Sequence, residues 1–227
     1  MNTVLHQLQI HIHKTDSSSE MFVQNEEGPI KHILREFQPD CIFNRDRIVI
    51  VGRHSLTCLP VSRLARMDLV SEQLTDWIFP PNLVNAVELS EMEFRALVRN
   101  PELRDQWNQT HPQDVSVIIF LEVEMAGQAP VFLVMEIASK ESGNQLDTLS
   151  AVFSGRALCF RMRNGGVAAL NLAHLTRVTL FPGSSQAPLE AWPAERSQNS
   201  RLKEFTRTLN HLGEPPSAAQ AVGTAAG

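Results

Sequence analysis

The sequence predicts an α+β protein made of two related small units, each with bent antiparallel strands and a covering helix, arranged by internal duplication. The main observation is that Phe43 to Leu69 and Phe153 to Leu180 share one strand, hairpin and terminal pattern. Anchored at their right ends, Leu59, Val61, Leu64, Arg66, Met67 and Leu69 fall on Leu170, Leu172, Leu175, Arg177, Val178 and Leu180, an offset of 111. Anchored at their left ends, Phe43, Ile48 and Ile50 fall on Phe153, Leu158 and Phe160, an offset of 110. One residue inserted in the turn Asn164-Gly165-Gly166 reconciles the registers, at a tip where insertions are tolerated. The second observation is that each copy supplies three or more strands and a helix, the minimum at which an apolar sheet face is stably covered.

The elements follow in order. Leu8, Ile10 and Ile12 alternate with Gln9, His11 and His13, so Leu5 to His13 reads as a strand with one buried and one wet face. Lys14 to Glu20 turns the chain into a short strand at Met21 to Val23. Pro29 suits a first helical turn, and Ile30, Ile33, Leu34 and Phe37 follow helical spacing until Pro39 ends the helix. Strands follow at Cys41 to Phe43, Arg47 to Gly52, Ser55 to Leu59 and Arg66 to Val70. In the second copy, Val115 to Met125 and Pro130 to Ala138 flank the Gly127 turn. A helix over Gln145 to Val152 and the strands ending at Leu180 then complete the order.

The intervening segment differs. Ser90 and Glu93 form a capping box, in which each side chain satisfies a free backbone N–H of the other residue, before Phe94, Leu97 and Val98. Pro101 restarts a helix carrying Leu103 and Trp107. The expected organisation is therefore a first α+β repeat (1–70), a helical linker (71–114), a second repeat (115–182), a C-terminal extension with a helix (183–212) and a disordered tail (213–227). The two copies could pack as separate small α+β domains, but the modest chain length and a linker apolar enough to pack favour pairing about a pseudo-twofold axis as one body. A helix preceding bent antiparallel strands is similar to the order in small five-stranded barrels, an analogy of fold alone.

Composition excludes some classes. With 43% hydrophobic and 20% charged residues, the 227-residue chain is neither disorder-prone overall nor membrane-like. Its apolar runs are too short to cross a bilayer, and the first residues lack the basic start and apolar stretch of a secretory signal. Cys41, Cys58 and Cys159 are scattered singly beside strand segments, where buried free thiols are common, and form no redox or zinc spacing. A cytoplasmic location is expected.

Charge is unevenly placed. Arg45 to Arg66 holds five arginines against one aspartate, and Arg156 to Arg177 holds four against no acid. The rest of the chain keeps 11 basic against 24 acidic residues, so the duplicated strands are basic within an acidic protein. That segregation suits an anion-binding face or docking of one part of the chain on another. Arg66 and Arg177 are expected to lay their stems over equivalent core edges with hydrated heads.

Candidate sites are few. His11 and His13 share one side of a strand and could begin a metal site, but no H-E-x-x-H or cysteine cluster completes it. His54 and Ser55 are adjacent on extended backbone and point apart, which is no nucleophile and base. Glu122, Glu124 and Glu136 could form an acid pair or metal carboxylates only if they met across a hairpin. Asn164-Gly165-Gly166 is a hairpin tip and not a phosphate loop. No catalytic, cofactor or metal residue is therefore assigned. The interaction candidates are Arg45, Arg47, Arg53, His54, Arg161 and Arg163.

The expected function is a non-enzymatic scaffold or adaptor that self-associates or binds another protein through strand edges or the C-terminal helix. The first alternative is a nucleic-acid-binding protein using the basic strands, weakened by a sequence pI near 5.9 and by Phe160 as the only aromatic among these arginines. A metal-dependent enzyme is the other alternative, and it requires Glu122, Glu124 or Glu136 to converge with His11 and His13 around one pocket. No cofactor and no membrane partner are expected.

Overall fold

The computed structural model describes residues 7–71, 79, 83–100, 102, 116–138 and 152–181. The chain divides into two units, Met1–Gln186 and Ala187–Gly227, and all described residues belong to the first. Apolar and polar residues alternate along β1 (Leu8–Lys14), which buries Leu8, Ile10 and Ile12 and pairs antiparallel with β2 (Ser19–Gln24). Helix α1 (Glu27–Glu36) carries Pro29 in its first turn and buries Ile30. Hairpin β3 (Arg47–Val51) and β4 (Leu56–Pro60) leads through a 3-10 turn at Val61–Arg63 into β5 (Leu64–Val70).

Strand β6 (Leu83–Leu89) is followed by α2 (Glu91–Arg99), whose N-terminus has the expected capping box of Ser90 and Glu93. Phe94 is fully buried on α2 against the rings of Phe120, Phe132 and Phe181, which fastens the helix to the sheet. Hairpin β7 (Ser116–Met125) and β8 (Val131–Ala138) follows, then hairpin β9 (Ala157–Arg161) and β10 (Val167–Asn171). A 3-10 turn at Leu172–His174 leads into β11 (Leu175–Phe181). The protein is thus mixed α+β, mostly strands with few helices among the described residues.

Among the described residues, nine strands form one sheet in the order β11-β7-β8-β6-β9-β10-β5-β1-β2, and β3 and β4 form a separate two-stranded sheet. Neighbours are antiparallel except β6 and β9, joined in parallel at Val87 and Arg161. Hairpin β9–β10 lies between two cores. Ala157, Cys159, Val167 and Ala169 belong to the core of β1, α1 and β5, whereas Leu158, Phe160, Ala168 and Leu170 belong to that of β7 and β8.

Element bounds and registers recur along the chain. Strand β4, the 3-10 turn and β5 begin at Leu56, Val61 and Leu64, and β10, its 3-10 turn and β11 begin at Val167, Leu172 and Leu175, each at an offset of 111. Across β1 and β5, His13 faces Arg66 and Ile10 faces Leu69; across β7 and β11, Glu124 faces Arg177 and Leu121 faces Leu180, at the same offset. The Thr15 N–H donates to the Arg63 carbonyl at 3.0 Å, and the Ala126 N–H to the His174 carbonyl at 2.9 Å.

Several expectations are corrected. Cys41 to Phe43 is a turn and not a strand: the Cys41 and Ile42 N–H groups both donate to the Gln38 carbonyl, and Ile42 and Phe43 reach the core from that turn. The linker expected to be helical contributes β6 to the centre of the sheet, because Leu83, Ala86 and Leu89 bury while β8 supplies its backbone partners. The helix carrying Leu103 and Trp107, the helix from Gln145 except Val152, the extension (183–212) and the tail (213–227) lie outside the described residues. No helix among the described residues is long and apolar enough to cross a membrane.

Candidate functional site

Strand β3 contains the unbroken apolar run Ile48-Val49-Ile50-Val51, a composition suited to a strand covered on both faces. Among the described residues, only one face is covered. Ile48, Ile50 and Leu59 pack against the first core, whereas Arg47, Val49, Val51, Leu56, Cys58 and Pro60 form an outer face turned away from it. Val51 and Leu56 sit directly opposite one another at 75% and 71% exposure, and Val49 faces Cys58. An apolar sheet face open to water carries an unfavourable hydration free energy that burial by a partner would remove.

The six expected interaction residues fall on or beside two hairpins. Arg47 borders the apolar face, Arg53 and His54 stand exposed at its tip, and the Gly52 N–H donates to the Ser55 carbonyl at 2.9 Å to close that tip. Arg45 donates to Glu36 at 2.7 Å, and its hydrogen bond with Glu36 holds that carboxyl below the ordinary value. On the other hairpin, Arg161 stacks its guanidinium over the Phe79 ring at 5.8 Å, and Arg163 pairs with Glu93 at 3.4 Å. Internal partners thus engage Arg45, Arg161 and Arg163.

The buried charges make two further clusters. Asp68 lies between His13, whose Nε2 is 3.1 Å from Oδ2, and Arg66, whose Nε donates to Oδ1 at 2.6 Å. Burial alone would raise this carboxyl, but the His13 hydrogen bond and the Arg66 guanidinium outweigh it, and the group sits below its ordinary value. Arg66 also reaches Glu88 at 3.3 Å and covers the Phe160 ring at 5.3 Å. In the second cluster, buried Glu122 accepts from Arg95 at 3.1 Å and from Arg177 at 3.2 Å, while Arg177 also binds Glu124. The Glu122 hydrogen bond raises Arg95 above its ordinary value.

These clusters answer the expectations about arginine heads and carboxylates. The Arg66 and Arg177 heads are paired with carboxylates, not simply hydrated, because their own and neighbouring strands present Asp68, Glu88, Glu122 and Glu124 to them. Glu122 and Glu124 converge on Arg177; Glu136 lies on β8 opposite Ile118 and Asn85. His11 Nε2 is 3.4 Å from the Gln9 amide oxygen. Among the described residues, no three His, Cys, Asp or Glu side chains gather to hold a metal. Cys41 and Cys58 are exposed and only Cys159 is buried, because Cys58 falls on the uncovered face and Cys41 on a turn.

Sequence reasoning missed the outer face of β3–β4, although its signal was the apolar run itself. It also missed Asp68, Glu88 and Arg95, whose roles depend on strand and helix neighbours. Comparison with family models, curated proteins and solved structures finds no match for this chain.

Proposed function

We propose that the chain is a non-enzymatic adaptor or scaffold, built from two copies of one α+β unit, that self-associates through the outer face of β3–β4. The observation that carries this reading is the pair Val51 and Leu56, apolar, opposed and mostly exposed on a hairpin whose composition suits burial on both faces. The recurrence of strand bounds and registers at an offset of 111 supports the two-copy origin. Arginine use supports protein contacts over an extended anion-binding track, since Arg45, Arg66, Arg95, Arg163 and Arg177 are matched to carboxylates. Two exposed free thiols fit a reducing, cytoplasmic setting.

Nucleic-acid binding is the second reading, favoured by exposed Arg47, Arg53 and His54 on one hairpin. Light scattering on the full chain at low and high salt, with absorbance ratio recorded across the peak, separates the two. A nucleic-acid-free oligomer is expected. A monomer carrying salt-releasable nucleic acid overturns the adaptor reading.

A further inference from the structure

The two hairpins differ in what covers them. In the second half, β10 pairs with β5 through Val167–Leu69, Ala168–Asp68, Ala169–Met67 and Leu170–Arg66. That pairing seats Cys159, Val167 and Ala169 against the first core, where Met67 and Leu69 are buried. The corresponding hairpin of the first half has no such seat: among the described residues, β4 pairs only with β3, and Leu56 on its outer face is exposed. The strand corresponding to β5 is β11, which among the described residues pairs only with β7 and ends the nine-stranded sheet.

Burial differs in the same sense. Leu64, Met67 and Leu69 on β5 are buried, whereas Leu175, Val178 and Leu180, their counterparts on β11, are only partly buried against the second core. Among the described residues, one apolar hairpin face and one incompletely covered strand edge are therefore the two sides of a contact made between β10 and β5 and not between β4 and β11.

We infer that a second copy of this chain supplies the missing side: β4 of one copy adds antiparallel to β11 of the other. This rests on the self-association reading above and specifies its partner and register. Shifting the β10 positions back and the β5 positions forward by 111 places Leu56 opposite Leu180, Thr57 opposite Thr179, Cys58 opposite Val178 and Leu59 opposite Arg177. Apolar side chains then meet at Leu56–Leu180 and Cys58–Val178, and two threonines meet between them, a favourable cross-strand set. Pro60, which has no N–H to donate, falls just beyond the paired span, as its counterpart Asn171 does. Backbone hydrogen bonds along both edges supply the affinity, and the alternating apolar side chains supply the register.

The test uses the full chain with Cys41→Ser, leaving Cys58 as the exposed native thiol, and adds Val178→Cys. Mild oxidation is expected to join Cys58 of one copy to the thiol introduced at position 178 of the other, identified by peptide mass, in a species of twice the chain mass. Leu180→Cys in the same background is expected to cross-link to Cys58 at least about fivefold more slowly, because a two-residue shift moves the thiol by about 7 Å, beyond disulfide reach. As a second variant, Leu56→Lys is expected to abolish self-association without lowering the melting temperature of the single chain, in which Leu56 is 71% exposed. The same cross-link found at the mass of a single chain overturns the second-copy assignment. An oligomer lacking that cross-link, or one that survives Leu56→Lys, overturns this pairing and leaves self-association standing. A monomer at every concentration overturns both.

Discussion

Arg66 on β5 and Arg177 on β11 lie 111 residues apart, and each binds two carboxylates. Arg66 faces His13 across the ladder and Arg177 faces Glu124. At the β5 site one carboxylate is two residues further along the same strand, at Asp68, and His13 hydrogen-bonds to it. At the β11 site the facing residue is itself a carboxylate. Each position sets an arginine beside strand carboxylates, through different local chemistry.

Removing Arg66 leaves Asp68 buried with His13 as its remaining described partner. Arg66→Ala is expected to cost about 2–4 kcal/mol, lowering the melting temperature by roughly 5–12 °C. Arg53 is exposed, so Arg53→Ala is expected to stay within about 0.5 kcal/mol. Thermal melts by circular dichroism compare them, and equal small effects would sink the structural assignment of Arg66.

Glu122 is buried between two guanidinium groups. Arg95→Met or Arg177→Met alone leaves it one arginine, and the double change leaves it none. The double variant is therefore expected to lose at least about 1 kcal/mol more than the sum of the singles, with Glu122→Gln restoring much of the loss. Urea titrations of the full set measure the coupling. Strict additivity would mean that Glu122 is satisfied otherwise.

The lowered pKa of Asp68 sets a direction in pH. A carboxyl whose folded value lies below its unfolded value contributes stability that is present above about pH 4 and lost as pH falls through the folded value. Chemical denaturation between about pH 5 and pH 2.5 is expected to show this loss, with a shallower acid limb in Asp68→Asn. Identical acid limbs would remove Asp68 from the account.

Two glycines separate collision from backbone strain. Gly127 has φ +69°, and an added Cβ would lie 2.0 Å from the Thr15 carbonyl oxygen at the neighbouring hairpin tip. Gly165 has φ +87° with open space around it. Gly165→Ala is expected to cost about 1–2 kcal/mol from the left-handed conformation alone, and Gly127→Ala clearly more. Urea midpoints decide the ranking, and reversal would show that the two tips do not meet closely.

Thiol accessibility gives a further check. Cys41 and Cys58 are exposed, whereas Cys159 is buried and desolvation pushes its thiol well above the ordinary value. An aromatic disulfide reagent is expected to modify Cys41 rapidly in the native protein, Cys58 rapidly only at dilutions where the copies separate, and Cys159 only on unfolding. Three rapid thiols would contradict the seating of β9–β10 between the cores.

Elements with local signals are legible in the amino-acid order alone. Alternation in Leu8, Ile10 and Ile12 specified β1, and the Ser90–Glu93 reciprocal cap specified the start of α2. Strand starts recur at an offset of 111 between two segments that each carry their own apolar period and turn residues. Packing in three dimensions was needed to show that β10 joins β5, that β6 enters the middle of the sheet, and that Arg66 meets Asp68 and Glu88. Sheet pairing is made by backbone groups that every non-proline residue carries, so a strand's sequence names its faces but not its neighbour. The same reason separates Val167, buried, from Leu56, exposed: among the described residues β10 pairs with both β9 and β5, whereas β4 pairs with β3 alone.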